Sequence, residues 1–289
     1  MIIQELQKLA NIPEWIPSNT HYVCRIGSVM YGISNDTSDE DLYSWCIPKK
    51  EVVFPHLSGY ISGFGTKPTT FESCQRHHIE HKNKTYDLNI YSIVKFFDLC
   101  FDNNPNVIEV LYCPRQHILH STEIAEHVRE HRHLFLSKKI FHKLKGYSYS
   151  QLSKMKSKNP QKGCKRYDDV QKHGFDCKFG VHICRLLLQC QYILENCDLQ
   201  FDRPDVEFLK AIRRGEVEEQ KIYSFFDEKE KTLEGLYRTS KLQYSPDEES
   251  IKKVLLECLE MHYGSTDIKL PNQYELAVEQ IRKIIHGIK

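Results

Sequence analysis

The sequence Arg25-Ile-Gly-Ser-Val-Met-Tyr-Gly32, followed by Ser38-Asp-Glu-Asp-Leu-Tyr43, decides how the first half of this chain is expected to fold. The mostly apolar run Tyr22–Ile26 has the length of a β-strand, and Gly27 ends it. A helical turn is expected to begin there, because glycine lets the backbone turn sharply and approach a ligand closely. The free N–H groups of such a turn, together with the Ser28 hydroxyl, can hold a phosphate oxygen.

Two acidic residues, Asp39 and Asp41, stand at the head of a second apolar strand that Pro48 closes. Because side chains alternate along a strand, both acids leave the same face of the chain. Two carboxylates on one face repel each other unless a cation or a proton relieves the repulsion. Mg²⁺ prefers oxygen ligands and commonly brings phosphate with it. Asp87, in a third expected strand over residues 85–90, can carry another carboxylate toward the same cleft.

The chemistry that such a cluster can perform is displacement at phosphorus. Three carboxylates around two cations serve an in-line attack, in which one cation activates the attacking hydroxyl and the other holds the triphosphate. We therefore predict Asp39, Asp41 and Asp87 as catalytic and metal-binding residues. A Ser-Asp-x-Asp string is also typical of a turn or a helix N-cap, and Asp87 alone could be a solvent-facing strand position. The Gly27-Ser28 pair at the strand end just upstream favours a catalytic site over these alternatives.

The remaining pattern predicts a mixed α+β fold. Helices are expected over residues 2–10, 91–103 and 105–112, whereas residues 54–84 are expected to form an irregular linker. The second half is predicted to be helical over 122–134, 138–157, 178–196, 204–214, 216–240, 247–263 and 273–287, with breaks at Gly146, Asn159–Pro160 and Gly163. We predict a domain with a small sheet and flanking helices at 1–120, and a helical domain at 121–289, for which the resemblance described below implies a part in NTP and acceptor binding.

The composition is that of a soluble globular protein of 289 residues, with 40% apolar residues and a net charge of +1. No apolar run approaches the roughly 20 residues needed to cross a bilayer. The N-terminus lacks the basic and apolar segments of a secretion signal. The eleven cysteines are scattered and form no CxxC pair. Free thiols in a reducing compartment are the better interpretation, and we expect a cytoplasmic protein.

A basic segment at residues 138–172 carries eleven Lys and Arg but two Asp, a net charge of +9, whereas the rest of the chain carries −8. This asymmetry predicts a polyanionic partner. Tyr147, Tyr149 and Tyr167 are interleaved with the lysines, and charge combined with stacking is how single-stranded RNA is often held. A solvated lysine-rich loop is the alternative.

A separate run contains Cys74, His77, His78 and His81. These residue types can bind zinc, but structural zinc sites usually draw their ligands from two separated pairs, and this run lacks the second pair. The alternative is a mobile loop that borders the cleft and brings histidines near phosphate.

Gly27-Ser28 followed by Asp39-x-Asp41 resembles the signature of the DNA polymerase beta-type nucleotidyltransferase superfamily. The chain is most similar to the RNA-repair-pathway (RlaP-like) nucleotidyltransferases within it. The similarity extends over residues 20–220 and includes the motifs GSVMYG, SDEDL, YSIVKFFDLCFDNNPNVIEVLY, GYSYSQL, KFGVHICRLL and IRRGE.

The resemblance implies transfer of a nucleoside monophosphate from an NTP such as ATP to a hydroxyl acceptor, with Mg²⁺ or Mn²⁺ and release of pyrophosphate. An RNA end is the expected acceptor. A protein or small-molecule hydroxyl is the alternative, and a non-catalytic nucleic-acid-binding protein of the same fold is a third interpretation. The intact Gly27, Ser28, Asp39 and Asp41 argue against that third interpretation.

The resemblance also implies that the helical domain supplies groups to the triphosphate. By position these are Lys178, His182 and Arg185, which share one helix face at i, i+4 and i+7. Lysine offers phosphate a point charge, and arginine offers a bidentate contact. An ordinary amphipathic helix with a basic outer stripe is the alternative. The predicted nucleotide-binding residues are Gly27, Ser28, Ser38, Lys178, His182 and Arg185.

Overall fold

A computed structural model describes residues 2–33, 39–61, 70–157, 165–202 and 204–264. In this part of the chain five strands form one mixed sheet, in the order β3-β4-β2-β1-β5. The strands are β1 (Thr20–Ile26), β2 (Glu40–Cys46), β3 (Ser73–His81), β4 (Lys84–Ser92) and β5 (Ile118–Ser121). β2 and β4 run parallel, whereas the other neighbouring strands are antiparallel.

The helices surround the sheet and fill the second half of the chain. They are α1 (Ile2–Leu6), α2 (Lys50–Val53), α3 (Ile93–Phe101), α4 (Pro105–Leu111), α5 (Glu123–Glu130), α6 (Lys139–Ser157), α7 (Lys165–His173), α8 (Cys177–Asn196), α9 (Val206–Arg213), α10 (Glu219–Thr239) and α11 (Glu248–Tyr263). The mixed α+β fold with a helical C-terminal region is therefore confirmed. No helix in the described residues is long and apolar enough to span a membrane.

Side-chain caps mark where five of the described helices begin, among them α3, α4 and α8. The Ser92 side chain accepts the N–H of Lys95 at the start of α3, and Asn104 caps α4 just before Pro105. Asp176 accepts the N–H of Phe179 at the start of α8. Each cap satisfies an N–H group that has no partner within its helix, so the chain can turn from strand or loop into helix at that residue.

The two faces of the sheet carry different cores. Val23, Leu42 and Leu88 face a smaller core that α1 covers. Cys24 and Trp45 face a larger core that continues through the helical half as far as Cys258 on α11. Because side chains alternate, Asp41 lies on the same face of β2 as Trp45. The acidic cluster therefore lies on the face against which the helical half packs.

The predicted boundary between residues 120 and 121 falls within β5, whose backbone pairs with β1. The larger core is shared by elements on both sides of that boundary. The division into two domains stays a prediction.

Three local expectations were wrong. The region expected to be an irregular linker contains β3, an edge strand whose outer face is largely exposed, so its apolar pattern is sparse. β5 was not predicted, because it is only four residues long and none of them is buried. Gly146 lies inside α6 and does not break it, since the buried side chains of Leu144 and Leu152 hold the helix against the core and the surroundings of Gly146 are open. The breaks at Asn159–Pro160 and Gly163, and the helix at 273–287, lie outside the described residues.

Candidate functional site

Parallel pairing of β2 and β4 places the predicted acids beside each other. Asp41 lies directly opposite Asp87 in the register, and Ile26 at the end of β1 lies opposite Asp41 on the other side. Neighbouring strands are about 4.8 Å apart, and directly paired residues point to the same face. The two carboxylates therefore project side by side from the same face of the sheet. Asp39 precedes β2, is exposed and lines the same cleft.

Gly27 makes room for this arrangement. Its φ angle is +75°, and its carbonyl accepts the N–H of Met30 at 3.1 Å as the chain enters a 3-10 turn over Gly27–Val29. A Cβ atom at Gly27 would collide with Oδ2 of Asp41. Both the backbone conformation and the close approach of the carboxylate therefore require glycine at this strand end.

The electrostatic environment of Asp41 is unfavourable for its negative charge. Burial raises the pKa of this carboxyl to about 6, and the charges of Asp87 and Asp39 add to the increase. Lys178 and His77 act in the opposite direction. A cation placed among these carboxylates would relieve the repulsion, as expected for a site that binds metal together with phosphate.

The Asp87 carboxylate is contacted by the edge strand β3. The backbone N–H of His78 donates to Oδ1 of Asp87 at 2.8 Å. Nδ1 of His77 lies 3.3 Å from Oδ2 of the same carboxylate. β3, which the sequence did not predict as a strand, thus reaches the acidic cluster at these two histidines.

The acids open into a cleft of about 810 Å³ between the sheet and the helical half. The predicted residues that line it are Gly27, Ser28, Asp39, Asp41, Asp87, Lys178, His182 and Arg185. The structure therefore brings the strand residues and one face of α8 to the same space. Ser38 lies outside the described residues.

The three predicted residues of α8 differ in their surroundings. Lys178, in the first turn, is exposed and interacts electrostatically with Asp41. His182, one turn further, is half-buried. Arg185 is 6% exposed; its Nη1 donates to Oε1 of Glu109 at 2.8 Å, and its guanidinium lies 4.3 Å from the centre of the Tyr31 ring.

Arg185 thus joins α8 to α4 through a buried ion pair. Burial by itself would lower the pKa of Arg185, but the charge of Glu109 and the neighbouring Tyr31 raise it overall. Removing one partner of such a pair would leave an uncompensated buried charge. Arg185 therefore holds one wall of the cleft in place, and its contact with nucleotide stays a prediction.

The Cys74–His81 run does not gather into a zinc site. Cys74 packs into the smaller core, and Nε2 of His81 lies 3.1 Å from Oε2 of Glu5. Throughout the described residues, no three His, Cys, Asp or Glu side chains are arranged to hold a metal ion. The same finding applies to the three acids of the cleft. A cation bound among these three acids would therefore need further oxygen ligands from substrate phosphates and water, as Mg²⁺ sites commonly have.

Comparison with known proteins assigns most of the chain to a family. The family model RlaP, described as the RNA repair pathway DNA polymerase beta family, matches residues 1–236. The chain belongs to this family. It is a nucleotidyltransferase of the polymerase beta type, and the predicted resemblance is confirmed.

Two further comparisons add little to the family assignment. A crystal structure of a nucleotidyltransferase-like protein from Exiguobacterium sibiricum 255-15 gives a TM-score of 0.29 at 11% sequence identity. That match covers 96% of this chain and 85% of the other. The likeness is too weak to support a conclusion about the site. No curated protein matches the sequence.

Several residues of the cleft were not predicted from the sequence of this RlaP-family chain. Tyr43 and Asn89 line it, each two residues beyond an acid on the same strand face, so strand alternation could have identified both. Asn106, Tyr147 and Arg213 come from three helices. All three lie in motifs on which the resemblance rests, but the sequence analysis named only Tyr147, as a residue that stacks on RNA rather than as part of this cleft.

The basic segment of the RlaP-family chain is partly neutralised within the fold. Nζ of Lys143 lies 2.6 Å from Asp102, and Nζ of Lys145 lies 2.6 Å from Glu234. Lys138 is 4% exposed and lies over the rings of Tyr237 and Tyr244. The formal charge of the segment therefore overstates the positive potential it presents to a partner.

The raised pKa of Asp41 predicts how this residue affects stability. Between pH 4 and pH 6 the folded protein holds a proton that the unfolded chain releases, so folding becomes less favourable as pH rises through that range. The cost is fully present above the folded pKa of about 6 and absent well below the ordinary value of 3.8. Asp41→Asn should therefore stabilise the metal-free protein at pH 7.5, by up to about 3 kcal/mol.

Denaturant unfolding in EDTA, at pH 7.5 and at pH 4, measures this effect. The stabilisation by Asp41→Asn should be present at pH 7.5 and nearly absent at pH 4. An equal effect at both pH values, or a loss of stability at pH 7.5, would show that the pKa of the Asp41 carboxyl is not raised in the folded protein.

Proposed function

We propose that this protein transfers a nucleoside monophosphate from an NTP to a hydroxyl at an RNA end, with Mg²⁺, and releases pyrophosphate. The observation that carries the proposal is the pairing of Asp41 with Asp87 on adjacent parallel strands, beside the Gly27 turn and within reach of the charge of Lys178. Membership of a polymerase beta-type family supports the same chemistry.

Asp39, Asp41 and Asp87 would hold the metal. Their oxygen donors and the elevated pKa of Asp41 fit a hard divalent cation. When bound, Mg²⁺ or Mn²⁺ polarises the phosphate, lowers the pKa of the attacking hydroxyl and offsets charge on the leaving pyrophosphate.

The chain itself supplies binding and orientation for the triphosphate. The 3-10 turn at Gly27–Val29 offers backbone N–H groups and the Ser28 hydroxyl to phosphate oxygens. Lys178 extends from the first turn of α8 toward the acidic cluster and would neutralise phosphate as a point charge. His182 and Tyr147 line the same cleft, and the Tyr147 ring offers a surface on which a base can stack.

The acceptor is the less constrained part of the proposal. RNA is supported by the description of the family and by the exposed part of the basic segment, which includes Lys154 and Lys156. A protein or small-molecule hydroxyl is a second candidate. It is favoured by the internal ion pairs of Lys143 and Lys145, which remove two charges that RNA phosphates would otherwise use.

Incubation of the pure protein with each labelled NTP, Mg²⁺ and a mixed RNA pool tests the reaction and its acceptor together. Asp41→Asn should lower labelling at least about 100-fold, because electrostatic stabilisation of a phosphoryl transition state is usually the largest catalytic contribution. A gel shows whether label migrates with RNA, with protein or with neither.

Glu40→Gln is the matched control, because Glu40 lies between the two acids but points to the other face. Its carboxylate pairs with Arg25 at 3.0 Å and with Lys84. This variant should keep its labelling activity within a few-fold. Equal activity in Asp41→Asn and the wild type would contradict the proposed mechanism. Label on protein alone would show that the acceptor is a protein hydroxyl and not an RNA end.

Lys178→Ala should raise the KM for NTP about 10-fold and leave kcat little changed, because one charge-assisted phosphate contact is lost in ground state and transition state alike. Lys253→Ala, an exposed lysine on α11 that does not line the cleft, is the control. Steady-state kinetics with a fixed acceptor would contradict this assignment if kcat fell while KM stayed constant.

A further inference from the structure

The edge strand β3 departs from regular pairing beside the catalytic acids. Arg76 pairs with Leu88 and Ile79 pairs with Tyr86, so two residues, His77 and His78, oppose the single residue Asp87. This is the arrangement of a β-bulge, in which one extra residue bends the strand and re-aims its side chains. His78 has a φ angle of +54°, a left-handed conformation that residues other than glycine rarely adopt.

The bulge directs two groups at one carboxylate. The backbone N–H of His78 donates to Oδ1 of Asp87 at 2.8 Å, and Nδ1 of His77 lies 3.3 Å from Oδ2, within hydrogen-bonding reach when it carries the proton. The His77 side chain is 57% exposed and lines the cleft, so its position is not explained by core packing. Both oxygens of Asp87 are therefore contacted from β3.

The bulge also has a structural consequence. It shifts the alternation of β3 so that Ile79 faces the smaller core, as Cys74 does before the bulge. A purely structural role would therefore be met by any bulge that returns Ile79 to that core. It would not require an imidazole beside the Asp87 carboxylate.

We propose that the His77–His78 bulge is a positioning device for Asp87, which fixes the orientation of its carboxylate for the metal and the acceptor hydroxyl. The inference rests on the proposed function, since it takes Asp87 as a metal-binding acid. His77 and His78 act through Asp87 and are positioning residues. Groups that orient a metal-ligating side chain commonly change metal affinity about 10- to 100-fold when they are lost.

Metal binding can be measured without turnover. The probe is the complex of Mn²⁺ with inorganic tripolyphosphate, which makes the measurement independent of the base preferred, and its binding to the protein is followed by the enhancement of water-proton relaxation. His77→Ala should weaken Mn²⁺ binding about 10-fold. His77→Asn, whose side-chain amide can take the place of Nδ1–H, should restore most of the affinity.

The contribution of the backbone is tested at the neighbouring position. His78→Gly keeps the N–H and readily adopts a positive φ angle, so Mn²⁺ affinity should be unchanged. His78→Val disfavours that conformation, because a β-branched residue is strained there, and should weaken binding. His81→Ala is the matched control, since His81 lies on the same strand but contacts Glu5.

A double-mutant cycle separates action through Asp87 from an independent effect. In an Asp87→Asn background, His77→Ala should cause no further loss of Mn²⁺ affinity. An equal loss in both backgrounds, or wild-type affinity in both His77→Ala and His78→Val, would overturn the positioning role while leaving the proposed function intact. If the wild type neither binds Mn²⁺ with tripolyphosphate nor shows NTP-dependent labelling, the proposed function fails, and this inference fails with it.

Discussion

The repulsion between two carboxylates on neighbouring parallel strands is the constraint on which the rest of the site depends. Asp41 and Asp87 are held in direct register by β2 and β4, and the backbone ladder between these strands leaves neither residue free to move away. The pKa of Asp41 rises to about 6 as a result of burial and of its acidic neighbours. Two such carboxylates lower the free energy of unfolding at neutral pH. A bound cation with its phosphates would raise it again.

The surrounding elements maintain this unfavourable arrangement. Gly27 lets the end of β1 approach the Asp41 carboxylate, which no larger residue would allow. On the other side, α8 is fixed to α4 by the buried Arg185–Glu109 pair. That pair sets the position of the helix whose first turn carries Lys178. The larger core, which continues from β1 to α11, packs the sheet against the helices that line the cleft.

Period-two alternation and the glycine at the end of β1 were sufficient to predict the strands β1, β2 and β4 from the sequence and to bring Asp39 and Asp41 to one cleft, whereas the role of the two acids stays a prediction. These are local patterns, and local geometry determines them. The pairing of Asp41 with Asp87 is not local, because it depends on which strands become neighbours and in what register. β3 escaped prediction because an edge strand with a bulge has neither a continuous apolar run nor a regular alternation. Lys143 and Lys145 of the basic segment pair with Asp102 and Glu234, acids distant in sequence that no local pattern reveals, whereas RNA binding by the segment stays a prediction.

The most direct test of the central claim is the position of the metal. Crystals grown with Mn²⁺ and a non-hydrolysable NTP analogue would reveal it through anomalous scattering. The account predicts an anomalous peak within about 2.2 Å of oxygens from both Asp41 and Asp87, with the triphosphate between the peak and Lys178. Metal density elsewhere, or a triphosphate bound outside the cleft, would contradict the account.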